Sequence, residues 1–283
     1  MPKTRTVATV LTFALGATSA SAVVINSNNG GSGDNYTNTG ARQGQLVGAT
    51  DFVYNNVGDD GVVGINTNYA RSGNGSAFFS TASGSSKADL ELLRDPFLFS
   101  GNYFATGVVG TLGDLTSLSY DWYRDSASTN PANQHVALRI LVDADGDLNT
   151  TDDRGGLVFE RVYNSAAILT DQWVTDDIMA YNGGNGANLW SFGAGMTFAQ
   201  EGFGNSFADW ASGTGTIDAN SAIIGFSAGV GSGWNGAYLG AIDNLTIGIN
   251  GDDITFNFEV IPTPGAAPLA AIAGLVAIRR RRH

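Results

Sequence analysis

The chain has 283 residues, with 14 Lys or Arg against 26 Asp or Glu for a formal net charge of −12, and it contains 39 Gly and no Cys. Without Cys, neither a disulfide framework nor a thiolate metal centre is available. The acidic balance repels phosphate backbones, so nucleic acid is excluded as a partner.

The chain opens with Lys3 and Arg5, an apolar run through Leu15, and small residues ending in Ala20, Ser21 and Ala22. A basic end, a greasy stretch and a small-residue exit are the parts of a secretory leader. They predict a signal peptide over 1–22, with Ala20 and Ala22 framing the cleavage site and the secretion translocon as a partner. Segment 23–49 is nearly all Asn, Gly, Ser and Thr, and predicts an irregular polar lead-in with at most one edge strand.

Beyond it, short β-branched and aromatic runs punctuated by Gly, Asn, Asp and Ser predict strands at 52–54, 76–80, 88–92, 118–123, 136–142, 157–162 and 173–180, then at 222–230, 237–249 and 254–260. Alternation is clearest where Leu118, Tyr120 and Trp122 oppose Ser119, Asp121 and Tyr123, one face packed and one wet. Segment 198–210 reads as a loop with one helical turn at most. Such strands are best buried in an all-β fold, an antiparallel two-sheet β-sandwich of jelly-roll type spanning 23–260.

The C-terminal run 260–278 is uncharged and mostly Ala, Ile, Leu, Val and Gly, and Arg279, Arg280, Arg281, Arg282 and His283 close it. As a helix it would reach about 28 Å, near the roughly 30 Å of a bilayer core. It predicts a single hydrophobic helix with its arginines on the cytoplasmic side and the preceding domain outside. Pro262 and Pro264 make an extended, exposed linker in front of it. Of the 14 basic residues two lie in the leader and four in the tail, so eight face all 26 acids between them, a net charge near −18.

Pro262, Thr263 and Pro264, the Ala- and Leu-rich run and the arginine cluster together resemble the PEP-CTERM sorting signal. The resemblance implies a sorting tail over 261–283, trimmed by a membrane peptidase of the exosortase type, and display at the cell surface or in the extracellular matrix. Thr263 stands where that family usually has Glu. Two further stretches, the Ser72-Gly73-Asn74-Gly75-Ser76 turn with its strand, and Ile242-Asp243-Asn244-Leu245-Thr246, resemble segments of lectin-like and carbohydrate-binding sandwiches. They imply the fold class rather than an activity.

Oxygen ligands spaced by two residues mark Asp143, Asp145, Asp147 and Asn149, followed by Asp152 and Asp153, between two predicted strands. In a tight loop, such spacing converges on a hard cation, which makes Ca²⁺ the one cofactor candidate. The pattern begins like an EF-hand and then departs from it, with Leu148 at the sixth place and Arg154 at the twelfth. The alternative is a polar hairpin in which Asp and Gly serve turn geometry. Asp171, Asp176 and Asp177 around Trp173 form a second acidic spot. Trp190, Trp210 and Trp234, in Gly- and Asn-rich surroundings, are candidate platforms for sugar rings, against a core role for aromatics.

Catalysis has little to use. His135, expected at a strand edge, is the one His outside the tail, and Glu91, Glu160, Glu201 and Glu259 offer no expected Glu–Asp set on one strand for glycoside hydrolysis. The expected function is therefore an exported, non-catalytic surface or matrix protein. The alternatives are a Ca²⁺-dependent polysaccharide-binding module and a secreted glycoside hydrolase or lyase.

Overall fold

The computed structural model describes residues 21–195, 202–231 and 233–262. The leader up to Ala20, and Thr263, Pro264 and Arg279 to Arg282 of the sorting tail, lie outside the described residues. Among the described residues no helix is long and apolar enough to cross a membrane.

In chain order the first nine strands are β1 Ser21–Gly30, β2 Tyr36–Thr37, β3 Gln43–Leu46, β4 Phe52–Gly58, β5 Val62–Asn66, β6 Ser76–Thr81, β7 Lys87–Leu93, β8 Pro96–Phe99 and β9 Asn102–Ala105. The rest are β10 Gly110–Thr111, β11 Leu115–Arg124, β12 Ala137–Asp143, β13 Arg154–Phe159, β14 Trp173–Asp177, β15 Leu189–Gly193, β16 Ala222–Gly231, β17 Tyr238–Ile249 and β18 Asp252–Ile261. Among the described residues helix is confined to short pieces such as Phe207–Ala211, where Ser206 and Asp209 form a capping box, in keeping with the single turn expected there.

Two eight-stranded sheets result among the described residues, with β8 and β9 as a separate hairpin. The first sheet runs β1-β18-β17-β6-β5-β2, and β11 with β14 lies on the other side of β17. One edge of β17 is shared, Tyr238 to Ile242 pairing with β6 and Leu245 to Ile249 with β18. The second sheet runs β15-β13-β12-β16-β7-β4-β3, with β10 added beside the start of β16. The sheets pack face to face. Phe52 of β4 sits edge-on to Phe256 and Phe258 of β18 at 5.1 and 5.4 Å, a geometry worth about 0.5–1.5 kcal/mol beyond burial. Leu118, Tyr120 and Trp122 of β11 enter the same core, as their alternation predicts.

The N-terminal segment departs from its expected irregularity, since β1, β2 and β3 all fall within 23–49 or beside it. Strand β1 is an edge strand, but it runs parallel to β18, so the sheet is not wholly antiparallel. Polar composition does not prevent this pairing, because an edge ladder needs only one anchored face. Ile25 supplies it from the core, and buried Asp34 fixes the end of the strand by accepting N–H bonds from Asn28 and Asn29 and the hydroxyl of Tyr54.

Candidate functional site

The alternation of β7 sets the site. Ala88 and Leu90 enter the main core, and Asp89 and Glu91 therefore face outward from the second sheet, on one strand and two residues apart. The outer face collects Asn55 and Asn56 from β4, Ser227 from β16 and Arg139 from β12 around them. Arg139 Nη1 donates to Asp89 Oδ1 at 2.9 Å and to Ser227 Oγ at 3.1 Å. Asn55 Nδ2 donates to Glu91 Oε2 at 2.7 Å, and Asn56 Nδ2 to Asp89 Oδ2 at 3.1 Å. Gly229 lies opposite Asp89 on β16, and a Cβ there would fall 1.8 Å from Asp89 Oδ1 and 2.4 Å from Arg139 Nη1. The absent side chain is what lets the ion pair cross the strand.

This polar row floors a cleft of about 720 Å³. One wall is the β8–β9 hairpin, whose Phe97, Phe99 and Phe104 are 57%, 63% and 46% exposed. The hairpin is tied down by Asn55, whose Oδ1 accepts the N–H of Tyr103 and whose amide donates to the Tyr103 carbonyl. A smaller hollow of about 350 Å³ adjoins the cleft, sharing Lys87, Arg139 and Phe192 with it. Trp190 of edge strand β15 lines this second part, stacked on Phe203 at 5.8 Å, and its Nε1 donates to Glu160 Oε2 at 2.9 Å. The result is a groove across the sheet with an acidic and basic floor and aromatic sides.

Electrostatics divide the two acids. Burial raises the pKa of Glu91, to about 7, and the neighbouring Asp89 adds to the rise. For Asp89 burial acts in the same direction, yet the Arg139 guanidinium and the Lys87 ammonium, 3.6 Å away, hold its carboxyl below the usual range. Burial also raises Glu160. A Glu with its pKa raised beside an Asp with its pKa lowered, in a cleft, is a functional-site signature as well as a structural one. Sequence reading missed this pair although the signal was present: Asp89 and Glu91 interrupt a predicted strand on its polar face. The expectation that no Glu–Asp set shares one strand is corrected here.

The acidic loop is brought together in part. Asp143, Asp145 and Asp153 each offer a carboxylate oxygen, and these atoms lie within 4.8 Å of one another. Asp143 ends β12 and Asp153 precedes β13, so the hairpin returns one to the other. Arg154 Nε bonds Asp143 Oδ2 at 3.0 Å, and burial pushes the Asp143 carboxyl upward. Asp147 and Asn149 are used otherwise: Asp147 Oδ1 accepts the N–H and the side-chain amide of Asn149, an Asx turn. Asp152 is exposed and outside the cluster.

Asp171, Asp176 and Asp177 do not converge. Asp176 is buried, taking Arg161 in a fork and the indole N–H of Trp122, whereas Asp177 and Asp171 cap turns. Trp210 is buried in the core, and Trp234, on the loop between β16 and β17, is buried too but lines the smaller hollow; Trp190 is the half-exposed one of the three candidate platforms there. His135 is a core residue, not a strand-edge one, stacked on Trp122 at 4.6 Å. Its Nε2 accepts the Arg161 N–H and its Nδ1 meets the Val136 carbonyl at 2.8 Å. Burial lowers its pKa to about 4.

The two stretches likened to carbohydrate-binding sandwiches meet in space. Ser72 N–H donates to Asp243 Oδ2 at 3.2 Å, and Asn244 Nδ2 donates to Ser72 Oγ at 2.9 Å. Asp243 Oδ1 also takes the Phe258 N–H, at the point where β6 gives way to β18 along β17. Burial raises its pKa to about 6. These residues brace the forked sheet and lie apart from the groove. Fold and site thus define a two-sheet β-rich protein with an outer-face cleft. No protein-family model matches the chain, and no curated protein matches it.

Proposed function

We propose that this chain is an exported envelope protein whose domain, a sandwich of jelly-roll type, binds polysaccharide in the outer-face groove of the second sheet. The observation that carries the binding half is the groove itself: exposed Phe97, Phe99 and Phe104 on one side, Trp190 and Phe192 on the other, and a fixed row of amides and charges between them. Flat aromatic faces suit the apolar faces of sugar rings, and the amides and carboxylates suit their hydroxyls. Export and sorting rest on the sequence: the leader over 1–22 and the tail with Pro262, Thr263, Pro264 and the four arginines, read by a translocon and an exosortase-type peptidase.

Titration of the protein with neutral and acidic polysaccharides, followed by tryptophan fluorescence, tests the binding half. Saturable quenching that falls at least about tenfold in Trp190→Ala supports it, and silence across the panel refutes it. The mass of the mature protein tests the export half, which fails if both ends are retained.

One observation favours cleavage over binding, namely the pairing of a raised Glu91 with an ionised Asp89, the division of labour that glycoside hydrolysis uses. Against it, Asp89 is committed to Arg139, Lys87 and Asn56. Release of reducing ends that is abolished in Glu91→Gln selects the hydrolase; binding without release selects the module.

A further inference from the structure

We infer that the loop joining β12 to β13 holds one calcium ion, ligated by Asp143, Asp145 and Asp153. The convergence of three carboxylates is the first observation. The second is independent of it: two oxygens in this cluster are buried and unpartnered. Asp143 is fully buried, its Oδ2 is taken by Arg154, and its Oδ1 has no hydrogen-bond partner. Asp153 Oδ2 accepts the Asp145 N–H at 2.8 Å, and its Oδ1 is likewise buried with no partner. Unsatisfied carboxylate oxygens are expensive to bury, and two in one loop leave a place for a positive group beyond Arg154.

Charge and donor type specify the ion. Three carboxylates against the Arg154 guanidinium leave a formal charge of −2, which one divalent cation neutralises. The donors are all hard oxygens, with no His or Cys, which selects calcium or magnesium over zinc and its neighbours. Asp145 is exposed, so water can complete the shell from that side. An irregular set of carboxylates and water in a hairpin loop suits the six to eight flexible ligands of calcium better than the strict octahedron of magnesium. Asp147, Asn149 and Asp152 are not ligands; the first two build the turn that brings Asp145 round to Asp153.

The ion would also set one end of the groove. Arg154 ties the cluster to the β8–β9 wall through the Ala105 carbonyl at 3.3 Å, and to the Leu148 carbonyl at 3.0 Å. Leu148, Thr151 and Arg154 line the cleft. The metal site itself stands whether or not the groove takes polysaccharide.

The test is calorimetric titration of chelator-stripped full-length protein with calcium chloride, alongside thermal unfolding with and without the ion. One saturable calcium per chain is expected, with a raised Tm. Asp145→Asn, an exposed position that does not threaten folding, should weaken binding at least about tenfold, and Asp152→Asn should leave it unchanged. Absence of saturable binding at millimolar calcium, equal affinity for magnesium, or undiminished binding in both Asp145→Asn and Asp153→Asn would each overturn the assignment.

Discussion

Replacing Arg139 with Met probes the floor of the groove. Asp89 is 1% exposed and Arg139 has 15% of its side chain exposed, so their 2.9 Å contact is made out of water. The substitution keeps most of the side-chain volume and removes the charge. Asp89 then retains only Lys87 at 3.6 Å and the Asn56 amide, with Glu91 two residues away on the same face. Breaking a buried pair by removing one partner costs about 3–5 kcal/mol, because the other charge stays buried. Adding Asp89→Asn removes that stranded charge, so the double variant should recover about 2 kcal/mol or more relative to the single one. Urea unfolding at pH 7 measures both, read as a shift in midpoint at constant m. A loss below about 1 kcal/mol in Arg139→Met, or a double variant no more stable than the single, would show that the row is hydrated surface and not a dry lattice.

Three further outcomes follow from the same geometry. His135 is neutral in the fold, with a pKa lowered from 6.5 to about 4, so its contribution is complete above pH 6.5 and is lost as pH falls toward and through 4; an NMR titration that finds it protonated at pH 6 contradicts this. Glu91 has the opposite sign: its folded pKa lies above the ordinary value, so its ionisation opposes folding as pH rises from about 4.5 through 7. Glu91→Gln should therefore gain stability over the parent at pH 8 and not at pH 4, and identical pH profiles in denaturant melts would refute it. Gly229→Ala should lose at least about 1–3 kcal/mol through overpacking and displace the Asp89–Arg139 pair; an unchanged Tm would mean the floor is looser than described.

Much of the fold was legible because its central strands carry their own signal. Strand β16 opens on the apolar Ala222, Ile223 and Ile224 and goes on to Phe226, Ala228 and Val230, and β11 places Leu118, Tyr120 and Trp122 at alternate positions. Strand β13 was read three residues late, since Gly155 and Gly156 open it without an apolar side chain. Strand β5 was missed because Gly64 interrupts it, at a place where a Cβ would fall 2.1 Å from the Asp34 carbonyl oxygen. The site was half legible. Asp89 and Glu91 were visible on a strand, but Arg139, Ser227 and Asn55 reach them only through pairing between distant strands. In the acidic loop, spacing located Asp143 and Asp145, whereas the choice of Asp153 over Asp147 and Asn149 depends on the hairpin's return and on which side chains the turn consumes.

Hydrogen exchange of the protein with and without a saturating polysaccharide tests the account at its centre. Binding in the groove predicts slowed exchange in β7, β12 and β15, with β17 and β18 unchanged. Protection confined to the first sheet, or none under saturation, would contradict it.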